Sequence, residues 1–271
     1  MIGVISEMME LTFMTRALLV GSLASISAAL LGVILILKRQ AMIGNALSHV
    51  GFAIIGAALA FDWAPMPVTM AGVLITAVIL LKIKNSNKLK SDSAIAMVST
   101  SALAIGIAIK SLTTGLTLEI CDVMFGTILA MSYTDVYISV GISISVALLF
   151  ILFYRKLFLV TFDEDYAKAS GLKVQRYTNL IAILTAVIIV VGMRMMGALL
   201  ISSIIVFPVL TSMRLFKSFK SVVISSGVIS LVSFLIGIYL SFVYDISTGA
   251  VIVLVNLTFF IIFYLIEKIL K

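Results

Sequence analysis

His49 is the only histidine among the 271 residues of the chain, and it lies inside the apolar run MIGNALSHVGFAIIGAALA. Asn45 precedes it by four residues. On a helix the two side chains share one face, about 6 Å apart along the axis. Neutral imidazole is a common ligand for zinc, iron and related ions. An ionisable group within an apolar span is costly, so it faces a cavity, a partner or a pathway. The plainer use of His49 is one interhelical hydrogen bond that fastens two spans. One His and one Asn cannot complete a coordination shell. A two-fold dimer would bring two such pairs together at its axis, forming a weak, transient cation site of the kind a conducting path requires.

Two further segments have local chemistry of their own. In TFDEDYAKASGLK, residues 161–173, the acidic residues at 163–165 favour a helix start, and Gly171 is a C-terminal stop. The expectation is a short amphipathic helix at the membrane surface, serving either as a docking surface or as an ordinary solvated connector. In GMRMMGALLISSIIVFPVLTSM, residues 192–213, Gly192, Gly197, the pair Ser202–Ser203 and Pro208 weaken a regular helix. A broken span beside a pathway and a kinked packing helix both fit.

The elements that position these residues follow from composition. The chain is 62% hydrophobic and 11% charged, with a mean hydropathy of +1.28; soluble domains carry about 25% charged residues. Lipid must therefore be the solvent for most of the surface. A span needs roughly 20 mostly apolar residues, and that measure predicts spans near 16–37, 42–60, 64–83, 93–112, 135–155, 176–193, 196–213, 221–243 and 249–267. The fold class is an all-α polytopic membrane protein with about eight or nine transmembrane helices in one domain, 1–271. The stretch 116–133, apolar but holding Glu119 and Asp122, reads as an interfacial or re-entrant segment.

Alternating crossings place all but Arg16, Lys110 and Arg194 of the 19 basic residues on one side. The positive-inside rule makes that side cytoplasmic, with the C-terminus inside and the N-terminus outside. This accounts for the net charge of +7 without nucleic acid. Glu7, Glu10, Asp62, Glu119, Asp122, Asp135 and Asp245 fall on the outer side, where their field would gather cations. The opening residues MIGVISEMMELTFMT lack a basic n-region, so the first apolar segment is read as a retained span. Cys121 is the only cysteine, which excludes an internal disulfide. The sequence has no GxxxxGK[ST] phosphate loop, no HExxH and no GxSxG. Ser48 and His49 face different ways on a helix, which leaves an intramembrane hydrolase without its reacting pair.

The chain resembles the membrane-spanning subunits of bacterial ABC importers for zinc, manganese and iron. The resemblance rests on GNALSHVGFAIIGAALA at 44–60, VMFGTILAM at 123–131, FDEDYAKASGLKV at 162–174, MGALLISSIIVFPVLTSM at 196–213 and VYDISTGAVIVL at 243–254. It implies a multi-pass permease of the bacterial cytoplasmic membrane that is not itself an enzyme. Its expected partners are an identical second copy, a cytoplasmic ATP-binding subunit and an extracytoplasmic metal-binding protein. The cargo is a divalent ion (manganese, zinc or iron), with no permanently bound cofactor. The family's second-span motif usually reads GDALSHA, so Asn45 and His49 are the expected metal-path residues, with Asn45 in place of an Asp. The resemblance makes 162–171 the helix coupled to the ATPase, through Asp163, Glu164, Asp165, Tyr166, Ala169 and Gly171. It also makes 123–131 an outer gating element, where Thr127 replaces a frequent acidic residue. The competing function is a secondary metal transporter driven by an ion gradient, with His49 as its titrating group.

Overall fold

The computed structural model describes residues 11–83, 91–112 and 133–270, and among them every regular element is a helix. In chain order these are α1 Thr12–Leu37, α2 Met42–Ala60, α3 Pro65–Ile83, α4 Ser91–Leu112, α5 Tyr133–Leu152, α6 Tyr154–Phe162, α7 Glu164–Ala169, α8 Val174–Met196, α9 Ala198–Leu215, α10 Phe219–Tyr244 and α11 Thr248–Leu270. The segment 116–133, including the expected gate at 123–131 and Thr127, lies almost wholly outside the described residues.

In hydrocarbon every backbone N–H and C=O must be satisfied within its own segment, so long apolar runs become helices. Six of these helices are long and apolar enough to cross a membrane, or seven if α5 and α6 form one bent span. This is fewer than the eight or nine expected. The difference arises at α3 and α4, whose apolar runs are the shorter Pro65–Leu80 and Ser93–Ile109. Serines and threonines at 93, 99, 100 and 101 dilute α4. The expected span 135–155 falls on α5 and the first residues of α6. The chain bends by 70° between these two helices, so α5 ends at Leu152 although the apolar run continues to Tyr154.

Helix α1 is the most enclosed of the six spans and α11 the least. α1 packs against α5, α8, α9 and α10, while α2 sits between α4, α3, α8 and α9. The hydrophobic effect does not drive helices together in lipid, so close packing and interhelical hydrogen bonds must do so. The Ser27 hydroxyl donates to the Ser143 carbonyl across α1 and α5, and the Ser230 hydroxyl to the Ser25 carbonyl across α10 and α1, both at 2.9 Å. Outward faces such as Ile75, Ile105, Leu148, Ile224 and Leu254 are exposed and apolar, as lipid contact demands.

Two helices end by the same device at polar residues. After α1, Arg39 takes φ 56°, Arg39 N–H donates to Ile36 C=O and Gln40 N–H to Leu35 C=O. After α2, Asp62 takes φ 52° while Asp62 N–H donates to Leu59 C=O and Trp63 N–H to Ala58 C=O. This is the Schellman closure, which satisfies carbonyls that a helix end would otherwise leave bare.

The α1–α9 contact depends on Gly32. A Cβ built there would collide with the backbone carbonyl of Ile205, which no side-chain rotation relieves. Gly141 on α5 has nothing within 4 Å of such a Cβ. Gly32→Ala is therefore expected to destabilise the bundle by about 1–3 kcal/mol, the usual cost of overpacking. Gly141→Ala should be neutral or slightly stabilising, by up to about 1 kcal/mol. Thermal unfolding of the two purified variants in one detergent checks both.

Candidate functional site

Asn45 and His49 stand on one face of α2, as their spacing predicts, and both are half-buried. The residue that joins them is Ser99 of α4, which the sequence reading did not single out. The Ser99 hydroxyl lies 2.9 Å from His49 Nδ1 and accepts from Asn45 Nδ2 at 3.3 Å. Ser99 is only 4% exposed, so its hydroxyl has no access to solvent and must bond within the bundle. One serine in an apolar helix gives no signal of this role in its own type. Only the packing of α4 on α2 reveals it.

The hydroxyl has two lone pairs and one hydrogen. If it accepts from both Asn45 Nδ2 and His49 Nδ1–H, the Nε2 lone pair of His49 is open to a cation. This is the arrangement by which ligating imidazoles are usually held. The opposite arrangement puts the proton on Nε2 and removes the ligand. Ser48, adjacent in sequence, turns away and donates to the Gly44 carbonyl at 2.9 Å. Among the described residues no group of three or more His, Cys, Asp and Glu side chains stands together. One chain thus presents one imidazole and one amide, which is a partial ligand set.

The second candidate, 161–173, divides differently from the expected single segment. Thr161 and Phe162 end α6, and the short helix is α7 alone. Asp163 caps it, its side chain accepting from Asp165 N–H at 3.1 Å and Tyr166 N–H at 2.8 Å. This is the preferred use of Asp at a helix start. Gly171 at φ 82° closes the other end as predicted. Gly171 N–H donates to Lys168 C=O and Leu172 N–H to Ala167 C=O. Ala167 packs with Val160 and Val174 beneath the helix, and Asp165, Tyr166 and Ala169 face outward.

Glu164 points the other way. Its carboxylate accepts from Lys38 Nζ at 3.0 Å, and the Lys38 side chain is only 4% exposed. A buried ammonium is tolerable only when paired. The pair thereby ties the surface helix α7 to the end of the most enclosed span, α1. Of the two readings of 192–213, the chain shows a break at Gly197, with φ 89° between α8 and α9, while Pro208 is accommodated inside α9.

Comparisons with known proteins identify the family. The chain is 31% identical over 257 residues to the manganese transport system membrane protein MntC of Halalkalibacterium halodurans, covering 94% of this chain and 87% of the relative. It is 29% identical to the high-affinity zinc uptake system membrane protein ZnuB of Haemophilus influenzae, covering 94% and 97%. A probable iron transport system membrane protein of the same organism is 31% identical, with 98% and 94% covered. Among solved structures, PsaBC from Streptococcus pneumoniae in complex with Fab superposes with a TM-score of 0.86 at 27% identity, covering 97% of this chain and 95% of that one. The pattern of the ABC 3 transport family matches residues 10–267, and the chain is a multi-pass membrane protein that belongs to that family.

Proposed function

We propose that this chain is the permease subunit of an ATP-driven importer for a divalent transition metal ion (manganese, zinc or iron). It works as a homodimer, with Asn45 and His49 lining the path. The observation that carries this reading is the half-open state of two polar side chains within an apolar helix. In a single chain their open sides would meet lipid, at a cost that spans normally avoid. A second copy related by a two-fold axis would turn both faces toward one shared aqueous path and double the ligand set. The amides and imidazoles would bind the ion loosely enough to release it. Asn45 contributes no charge there, so the path would attract cations through the imidazole lone pairs and its acidic outer loops.

The topology that fits this reading has eight or nine crossings, with α3 and α4 counted, the N-terminus outside and the C-terminus inside. The whole chain, 1–271, then acts as one permease domain. α7 would lie on the cytoplasmic side and offer Asp165, Tyr166 and Ala169 to the ATP-binding subunit, with Asp163 and Gly171 holding the helix ends. Glu164 would pass movement of α7 through Lys38 to α1. An extracytoplasmic metal-binding protein would deliver the ion. ATP hydrolysis moves the dimer only if the partner binds the inward- and outward-facing states with different affinity.

Uptake of radiolabelled manganese, zinc and iron by cells expressing the chain with its ATPase tests this. His49→Ala is expected to lower uptake of the cargo ion by about 10–100-fold. Ser99→Ala should fall in the lower part of that range by freeing the ring, and Ser99→Thr should restore much of the loss. Unchanged uptake in His49→Ala would return that residue to a packing role.

The coupling surface has its own test. Tyr166 is 61% exposed and is the kind of side chain that anchors interfaces. Tyr166→Ala should weaken co-purification of the ATP-binding subunit by roughly 30-fold, the equivalent of about 2 kcal/mol, without lowering the permease's own thermal stability.

A further inference from the structure

The 70° bend between α5 and α6 borders a groove that Asn45 and His49 do not line. The groove, of about 800 Å³, runs between α1, α5, α6 and α10. Its floor is apolar: Ile26 and Leu30 from α1, Phe150 from α5, and Val223 from α10. Its outer edges, Ile151, Leu152, Ile224 and Val228, are all more than half exposed, so the groove opens sideways, where a membrane protein meets lipid.

One end of the groove is different. Arg155 and Lys156 at the start of α6 and Lys220 at the start of α10 line it together with Tyr154. All three cations are exposed. No carboxylate lines the groove, and among the described residues none of the three is in an ion pair. Lys156 Nζ also lies 5.7 Å from the centroids of the Phe153 and Tyr177 rings, which holds it at the mouth. Along α10 the groove runs from Lys220 to Leu231, about 16 Å of helix. That is close to the depth of one leaflet of a hydrocarbon core of about 30 Å.

We propose that this groove is a binding site for an anionic phospholipid. Its phosphate sits among Arg155, Lys156 and Lys220, and an acyl chain lies along Val223, Gly227 and Leu231. Three unpaired cations ending an apolar channel of leaflet depth match the two halves of such a lipid. Basic pockets between membrane helices recognise anionic headgroups in this way. A zwitterionic lipid would fill the apolar part equally well and gain little from the cations. Gly227 keeps the channel open: a Cβ built there meets nothing within 4 Å, so a larger side chain would enter the groove and leave the helix packing intact. The bound lipid would brace the elbow between α5 and α6, directly before α7.

Native mass spectrometry of the purified full chain tests this. Phosphatidylglycerol and phosphatidylcholine of equal chain length are titrated into the protein. The expected result is at least about tenfold preference for phosphatidylglycerol, on the scale of three cations at a membrane surface, with one lipid retained per protomer. Replacing Arg155, Lys156 and Lys220 together by Gln should bring phosphatidylglycerol down to the phosphatidylcholine level. Gly227→Leu should reduce retention of both lipids without changing thermal stability or oligomeric state. Equal retention of the two lipids by the parent chain overturns the proposal, as does a preference that survives the triple substitution. A Gly227→Leu variant that dissociates into monomers also overturns it, because the groove would then be a contact between copies.

Discussion

A polar side chain in hydrocarbon has to be satisfied by a neighbour, a second chain or water, and this constraint organises the whole molecule. Where the neighbour lies within the chain, the result is a fastening: Ser27 with Ser143 and Ser230 with Ser25 tie α1 into the bundle. Lys38 meets Glu164 for the same reason, at the point where α1 leaves the core. At Asn45 and His49 the satisfaction is partial. Ser99 takes one side of each group and leaves the other side open. The functional reading comes from that imbalance.

The same constraint separates the rigid parts of the chain from the adaptable ones. α1, α9 and α10 are joined by close backbone approach and buried hydroxyls, so they make a fixed frame. α2 and α4 carry the partly open site at the edge of that frame. α7 is held at both ends by backbone geometry and from beneath by Ala167, Val160 and Val174. A short helix fixed in this way can move only as a unit with α6 and α8. That anchoring fits the coupling role proposed for α7.

Much of this could be read from residue order because single-residue effects dominate it. Apolar run length located α2 at its observed bounds and the last four long helices to within about three residues. Asp163 and Gly171 marked the ends of α7 because each acts on its own backbone. The bend at Phe153 was not legible, since no proline or glycine marks it. It lies where Tyr154 packs on Phe219 and Phe153 on Tyr177, partners distant in sequence. The part played by Ser99 was hidden for a similar reason: its meaning depends on which helix lies beside it. Six or seven of the expected eight or nine crossings are evident from length and composition, because α3 and α4 are helical throughout while only part of each is strongly apolar.

Thiol accessibility tests whether His49 faces an aqueous cation path. His49→Cys is placed in a Cys121→Ser background, where it is the only thiol, and membranes carrying the assembled transporter are treated with a charged, membrane-impermeant thiol reagent. Rapid modification is expected at position 49, slowing when ATP turnover shifts the dimer between its two states. A thiol that stays unreactive in every state, while Cys in place of the exposed Trp63 reacts, would mean that position 49 faces no such path.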